Sequence, residues 1–131
     1  MKKIGIINQP IAAVMAGLGH TDTIVIADAG LPIPAQPQRI DLALTQGIPT
    51  FLDTLRVILT EMQLERAIVA AEMPEVSPDL YRAVKALLAD LPLETVPHET
   101  FKQQTHSARA VIRTGEFTPY ANIILVAGVV F

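Results

Sequence analysis

The chain is 131 residues long, the size of one ordinary domain, and its 10 basic and 13 acidic residues leave a net charge of −3. That balance lacks the basic footprint of a nucleic-acid binder, and 50% hydrophobic against 18% charged residues excludes intrinsic disorder. Charged residues usually make up about 25% of a soluble domain, so the shortfall points part of the apolar excess toward subunit contacts, that is, a homo-oligomer.

The chain contains no cysteine, which removes disulfides, thiolate metal sites and cysteine nucleophiles together. Its first residues, Met1-Lys2-Lys3-Ile4-Gly5, carry charge without the apolar stretch of a signal peptide. The longest late apolar run, residues 123–131, falls well short of the roughly 18 residues of a membrane span. The expectation is a soluble cytoplasmic protein that does not engage a membrane.

In chain order, the first element is a helix capped by Asn8, with Ile11, Val14, Met15 and Leu18 on one stripe and Gly17 and Gly19 closing it through left-handed geometry. Thr23–Ala27 is apolar throughout and too short for a helix, which reads as a strand buried on both faces. Residues 28–34 break it with a glycine and two prolines. Residues 39–44 alternate, placing Ile40, Leu42 and Leu44 on one face of a strand. Gly47 and Pro49 turn the chain, and Thr50 caps a helix bearing Phe51, Leu55, Ile58, Leu59 and Met62. Residues 67–71 form another buried strand, and residues 73–78 an ordered loop. Ser77-Pro78 then starts a helix, with Ser77 as the capping side chain and Leu80, Val84, Leu87, Leu88 and Leu91 on its apolar face. A strand at 93–96, a short helix at 98–105 and strands at 110–113 and 122–126 complete the chain. Strands alternating with helices predict a single-domain, three-layer α/β/α sandwich around a largely parallel, mixed sheet. Neither GxGxxG nor a P-loop is present, which argues against a dinucleotide or triphosphate enzyme.

Open α/β sheets bind ligands beyond the carboxyl ends of their strands. Asp28 stands at such an end, where it either serves a polar site or caps its own loop. His20 sits between a helix end and the same strand, where it either meets the last helix carbonyls or acts as a general acid or base. His98 opens the short helix, as a site residue or simply a helix start; His106 reads as a surface residue. The three histidines show no metal-ligand spacing, and the two serines, Ser77 and Ser107, make a poor case for a nucleophile. In residues 115–122, Tyr120 and Asn122 offer a phenol and an amide suited to reading sugar hydroxyls, or else an edge aromatic and a turn former.

The stretches LGHTDTIVIADAGLPIP at residues 18–34, RIDLALTQG at 39–47 and AVIRTGEFTPYAN at 110–122 resemble the family that comprises the D-ribose pyranases and L-fucose mutarotases, and its ribose branch more than its fucose branch. The similarity is indistinct only over residues 73–97. It implies a cytoplasmic, cofactor-free and metal-free enzyme that interconverts β-D-ribopyranose and β-D-ribofuranose, supplying furanose for ribokinase. It also implies a decamer of two stacked pentameric rings. Residue by residue, it implies His20 as the catalytic acid and Asp28, His98, Tyr120, Ala121 and Asn122 as substrate contacts. On this reading His20 protonates the leaving ring oxygen, His98 or a water assists loss of the anomeric proton, and Asp28, Tyr120 and Asn122 hold the hydroxyls. Other monosaccharide mutarotases and a non-catalytic sugar-binding accessory are the alternatives. His20 and Tyr120 lie a hundred positions apart, which leaves room for a site shared between subunits.

Overall fold

The computed structural model describes residues 1–131. In chain order it contains α1 (Gln9–Gly17), β1 (Thr23–Ala27), β2 (Gln38–Asp41), α2 (Phe51–Leu59), β3 (Leu64–Ala70), α3 (Glu72–Val76), α4 (Pro78–Leu88), β4 (Leu93–Val96), α5 (His98–Gln104), β5 (Ala110–Arg113) and β6 (Ile123–Ala127). All six strands form one mixed sheet in the order β2-β5-β1-β6-β3-β4. Five run parallel; β6 runs antiparallel between β1 and β3. The reason is length. Only residues 114–122 connect β5 to β6, fewer than the dozen or so that a parallel crossover requires, so the chain must turn back and enter the sheet from the same end.

Successive residues of a strand face opposite sides, and β1 shows both sides buried. Ile24 and Ile26 join a core with Ile11 of α1, Phe51, Leu55 and Ile58 of α2, and Val84 and Leu88 of α4. Val25 and Ala27 join a smaller core with Phe101 of α5 and Ala108. Helices therefore cover both faces, giving the expected three layers around a largely parallel sheet.

The caps on the first two helices form as expected. The Asn8 side chain accepts from Ile11 N at 3.1 Å and that of Thr50 from Asp53 N at 3.1 Å, satisfying amides that a helix start leaves unpaired. Four local expectations are corrected. Neither Gly17 nor Gly19 adopts left-handed geometry; Leu18 leaves α1 in extended conformation, and the residue with positive φ in this turn is Thr21, at 69°. The strand expected over 39–44 stops at Asp41 because its carboxylate turns back onto Ala43 N at 3.1 Å, leaving Leu44 exposed. Residues 72–76 are helical rather than a loop, since Pro74 lies in the first turn, where the missing N–H is harmless. Finally, Ser77 makes no side-chain cap for α4; its hydroxyl donates to Pro119 O at 2.8 Å.

Candidate active site

Parallel strands end together, so β1, β4 and β5 deliver their following residues to one edge of the sheet, and antiparallel β6 begins at that same edge. Asp28 follows β1, His98 follows β4, and Tyr120 and Asn122 precede β6. All four line one cleft of about 340 Å³, together with Gly30, Leu31, Pro32 and Pro119.

Asp28 organises its own loop and is itself held. Its Oδ1 accepts from Gly30 N at 2.9 Å and Leu31 N at 2.8 Å, while Oδ2 accepts from Asn122 Nδ2 at 2.8 Å. Asn122 Oδ1 in return accepts from Asp28 N at 2.8 Å. A carboxylate offers about four lone-pair sites, and three are taken, so one acceptor position remains for a ligand. Asn122 is 1% exposed; its amide chiefly orients Asp28. Asp28 thus caps its own loop, one of the two readings left open by the sequence, and the same residue lines the cleft.

Tyr120 has φ 62°, a left-handed conformation costly for a side chain of its size. Its ring meets that of His98 edge to face, with centroids 5.1 Å apart. On its other side His98 lies over Phe101, at 6.3 Å. The Nδ1 atom of His98 is buried without a hydrogen-bond partner. Ala121 is fully buried and packs in the larger core; only its backbone is available to a ligand.

A second polar group braces the same loop. Arg113, at the end of β5, donates from Nε to Ala29 O at 3.0 Å and from a terminal nitrogen to both oxygens of Asp41 at 3.1 Å. Burial pushes the Asp41 carboxyl up, but the Ala43 amide and the Arg113 guanidinium outweigh it and hold the group below the usual carboxylate range.

His20 stands elsewhere. It precedes β1, whereas Asp28 follows it, and five residues of strand separate the two ends by about 16 Å. The His20 side chain is 55% exposed and its Nε2 lies 2.6 Å from Glu65 Oε2, at the start of β3. Its turn is built by Asp22, which accepts from Gly19 N at 2.9 Å and pairs with Arg109 at 3.0 Å. The Gly19 amide, and after it Arg109, hold the Asp22 carboxyl below its ordinary range. One chain therefore gathers Asp28, His98, Tyr120 and Asn122, but not His20. No three histidine and carboxylate side chains converge as metal ligands, and no helix is long and apolar enough to cross a membrane.

The cleft also uses Leu31, Pro32 and Pro119, which the sequence shows only as loop residues. Behind it, Glu72 accepts from His98 N through both oxygens, at 3.2 and 3.0 Å. No local pattern marks Glu72, because its partner lies 26 positions away.

The same fold recurs in known proteins. The chain is 56% identical over 131 residues to the D-ribose pyranase of Coprothermobacter proteolyticus, and 56% identical to that of Laribacter hongkongensis, with both chains of each pair covered in full. It matches Bacillus subtilis RbsD, solved in complex with D-ribose, with TM-score 0.98 and 51% identity over all of both chains. The Streptococcus pneumoniae fucose mutarotase, solved with L-fucose, is more distant, with TM-score 0.80 and 26% identity over the full length of both. A family model described as the RbsD / FucU transport protein family matches residues 1–130. With that match spanning nearly every residue, and with the helices and six-stranded sheet shared as well, the chain belongs to the RbsD / FucU family.

Proposed function

We propose that this protein is an isomerase that interconverts β-D-ribopyranose and β-D-ribofuranose, delivering the furanose to a ribose kinase in the cytoplasm. The observation that carries the reading is full-length identity of 51% to a protein solved with D-ribose, in a chain whose cleft presents Asp28, His98 and Tyr120 side by side. Identity of 26% to a fucose mutarotase makes fucose the weaker substrate.

The chemistry moves protons only. Opening the pyranose breaks the bond between C1 and the ring oxygen; that oxygen gains a proton and the anomeric hydroxyl loses one, leaving an aldehyde. The neighbouring C4 hydroxyl then adds to C1, giving up its proton as the carbonyl oxygen takes one. His20 gives a proton to the ring oxygen, which keeps it as the C5 hydroxyl of the furanose, and is reprotonated by the C4 hydroxyl as that oxygen adds to C1. Asp28 accepts from a sugar hydroxyl at its remaining lone pair, and His98 or a water takes the anomeric proton. Tyr120 covers the sugar and Ala121 contributes its backbone. No cofactor or metal is required by these steps.

His20 and the Asp28 cleft stand at opposite ends of β1, a strand about 16 Å long, so the complete site forms between copies, His20 of one reaching the Asp28 cleft of the next. The exposed apolar side chains Ile4, Ile7, Leu44, Ile48 and Val57 support an obligate assembly, which we take to be a decamer of two pentameric rings.

The experiment is NMR exchange between ribose ring forms with and without protein. Wild type accelerates exchange, and His20→Ala loses about 10²–10⁴-fold, the usual contribution of a positioned acid. A His20→Ala protein as fast as wild type refutes the assignment. L-fucose under identical conditions reads out the alternative substrate.

A further inference from the structure

We propose that Glu72 and Ser77, at the two ends of the short helix α3, are positioning residues that set the His98–Tyr120 wall of the cleft.

The wall has two parts, and neither is held by its own segment. His98 is the first residue of α5, whose N-cap, Pro97, offers no side-chain acceptor. A helix start leaves its first amides unpaired, and here the first is taken by both oxygens of Glu72, from 26 positions earlier. The carboxylate therefore fixes where α5 begins, and with it the direction of the His98 ring. Tyr120 holds φ 62°, a conformation unfavourable for a non-glycine residue that persists only where its surroundings enforce it. Two backbone contacts brace it from within the loop, Asn122 N to Tyr120 O at 2.8 Å and Ala121 N to Thr118 O at 3.3 Å. The brace from outside is Ser77, buried at 8% exposure, whose hydroxyl holds the carbonyl of the preceding residue, Pro119, at 2.8 Å.

These two anchors share one rigid base. Met73 of α3 is fully buried in the larger core, and Ala71 N bonds Val96 O at 2.7 Å, which locks the approach to α3 against the end of β4. Glu72 and Ser77 thus transmit one fixed frame to two rings that touch each other at 5.1 Å. Releasing Ser77 lets Tyr120 relax toward negative φ and swing its ring from His98; releasing Glu72 lets the His98 ring drift with the first turn of α5. Either change spoils contacts made with ring and open-chain sugar alike, so it weakens binding rather than the proton transfers.

The proposal rests on the ribose reading above, and its test has one arm that depends on catalysis and one that does not. In the kinetic arm, exchange rates against ribose concentration for Glu72→Ala and Ser77→Ala show KM raised about tenfold with kcat within about twofold, the signature of lost uniform binding. Glu72→Gln keeps an acceptor for His98 N and restores KM to within about threefold of wild type; Glu75→Ala, an exposed change on the same helix, leaves it unaltered. A merely structural role instead lowers the active fraction, so kcat falls at constant KM, and that result overturns the proposal. In the second arm, crystal structures of the two alanine variants show Tyr120 leaving its left-handed conformation in Ser77→Ala and the His98 ring displaced in Glu72→Ala. Rings that stay in place overturn the proposal whether or not the wild type acts on ribose, whereas a wild type that leaves ribose exchange unchanged counts against the substrate reading alone.

Discussion

Replacing Asn122 by aspartate tests the reciprocal Asp28–Asn122 pair, because the shape is kept while one donor becomes an acceptor. Asn122→Asp sets a second carboxylate oxygen where Nδ2 lay, 2.8 Å from Asp28 Oδ2, at a position 1% exposed. Two full charges at that separation repel by about 6 kcal/mol at an effective dielectric of about 20. Binding one proton between them is cheaper: with an ordinary carboxylate pKa near 4 it costs about 4 kcal/mol at pH 7. The native variant therefore holds one proton more than its unfolded chain, so its stability falls as pH rises. The penalty relative to wild type is about 4 kcal/mol at pH 7 and shrinks by about 1.4 kcal/mol per pH unit, to near 1.4 kcal/mol at pH 5. Asn122→Ala removes both bonds, strands the Asp28 amide and costs about 2–3 kcal/mol with no such slope. Urea unfolding followed by circular dichroism at pH 5, 6 and 7, at one protein concentration, measures all three proteins. Equal penalties for Asn122→Asp at pH 5 and pH 7 would falsify the pairing.

Two further perturbations address the frame around the site. A methyl group on Gly115 meets Ile48 N at 2.7 Å and lies closer still to the carbonyl oxygens of Thr45 and Ile48; all are backbone atoms that cannot swing aside. Gly115→Ala therefore destabilises by about 3 kcal/mol, read as a lower urea midpoint, and an unchanged midpoint refutes the close approach. Asp22, held below its ordinary pKa of 3.8 by the Gly19 amide and Arg109, contributes stability that is complete above that value and disappears as pH falls through its folded pKa. Asp22→Asn accordingly loses less stability than wild type on acidification below about pH 4; parallel acid titrations of the two proteins contradict this.

Much of the site was legible because its placement follows from strand ends. Asp28 closes an apolar strand, which marks it as a candidate, but residues 115–122 precede β6 and reach the same edge only because β6 runs antiparallel to β1. Glu72 was not legible, because a carboxylate that caps a helix from 26 positions away leaves no periodic or neighbouring signal. Ser77 misled for a related reason: Ser-Pro is a good helix start by local rules, yet its hydroxyl found a better acceptor 42 positions on, at Pro119.

By itself, the sequence determined what local forces determine: most of the helices and strands (though not α3), where Asn8 and Thr50 cap, that both faces of the sheet are buried, and through its long motifs the family. Those follow from apolar periodicity and from hydrogen bonds spanning three or four residues. Only the tertiary structure decided the rest. It placed β6 antiparallel in the middle of the sheet, joined Asp28 to Asn122 across 94 positions, and set His20 at the far edge from the cleft. Such contacts are chosen by how whole layers pack, since each satisfies a buried polar group that no neighbour in the chain can reach.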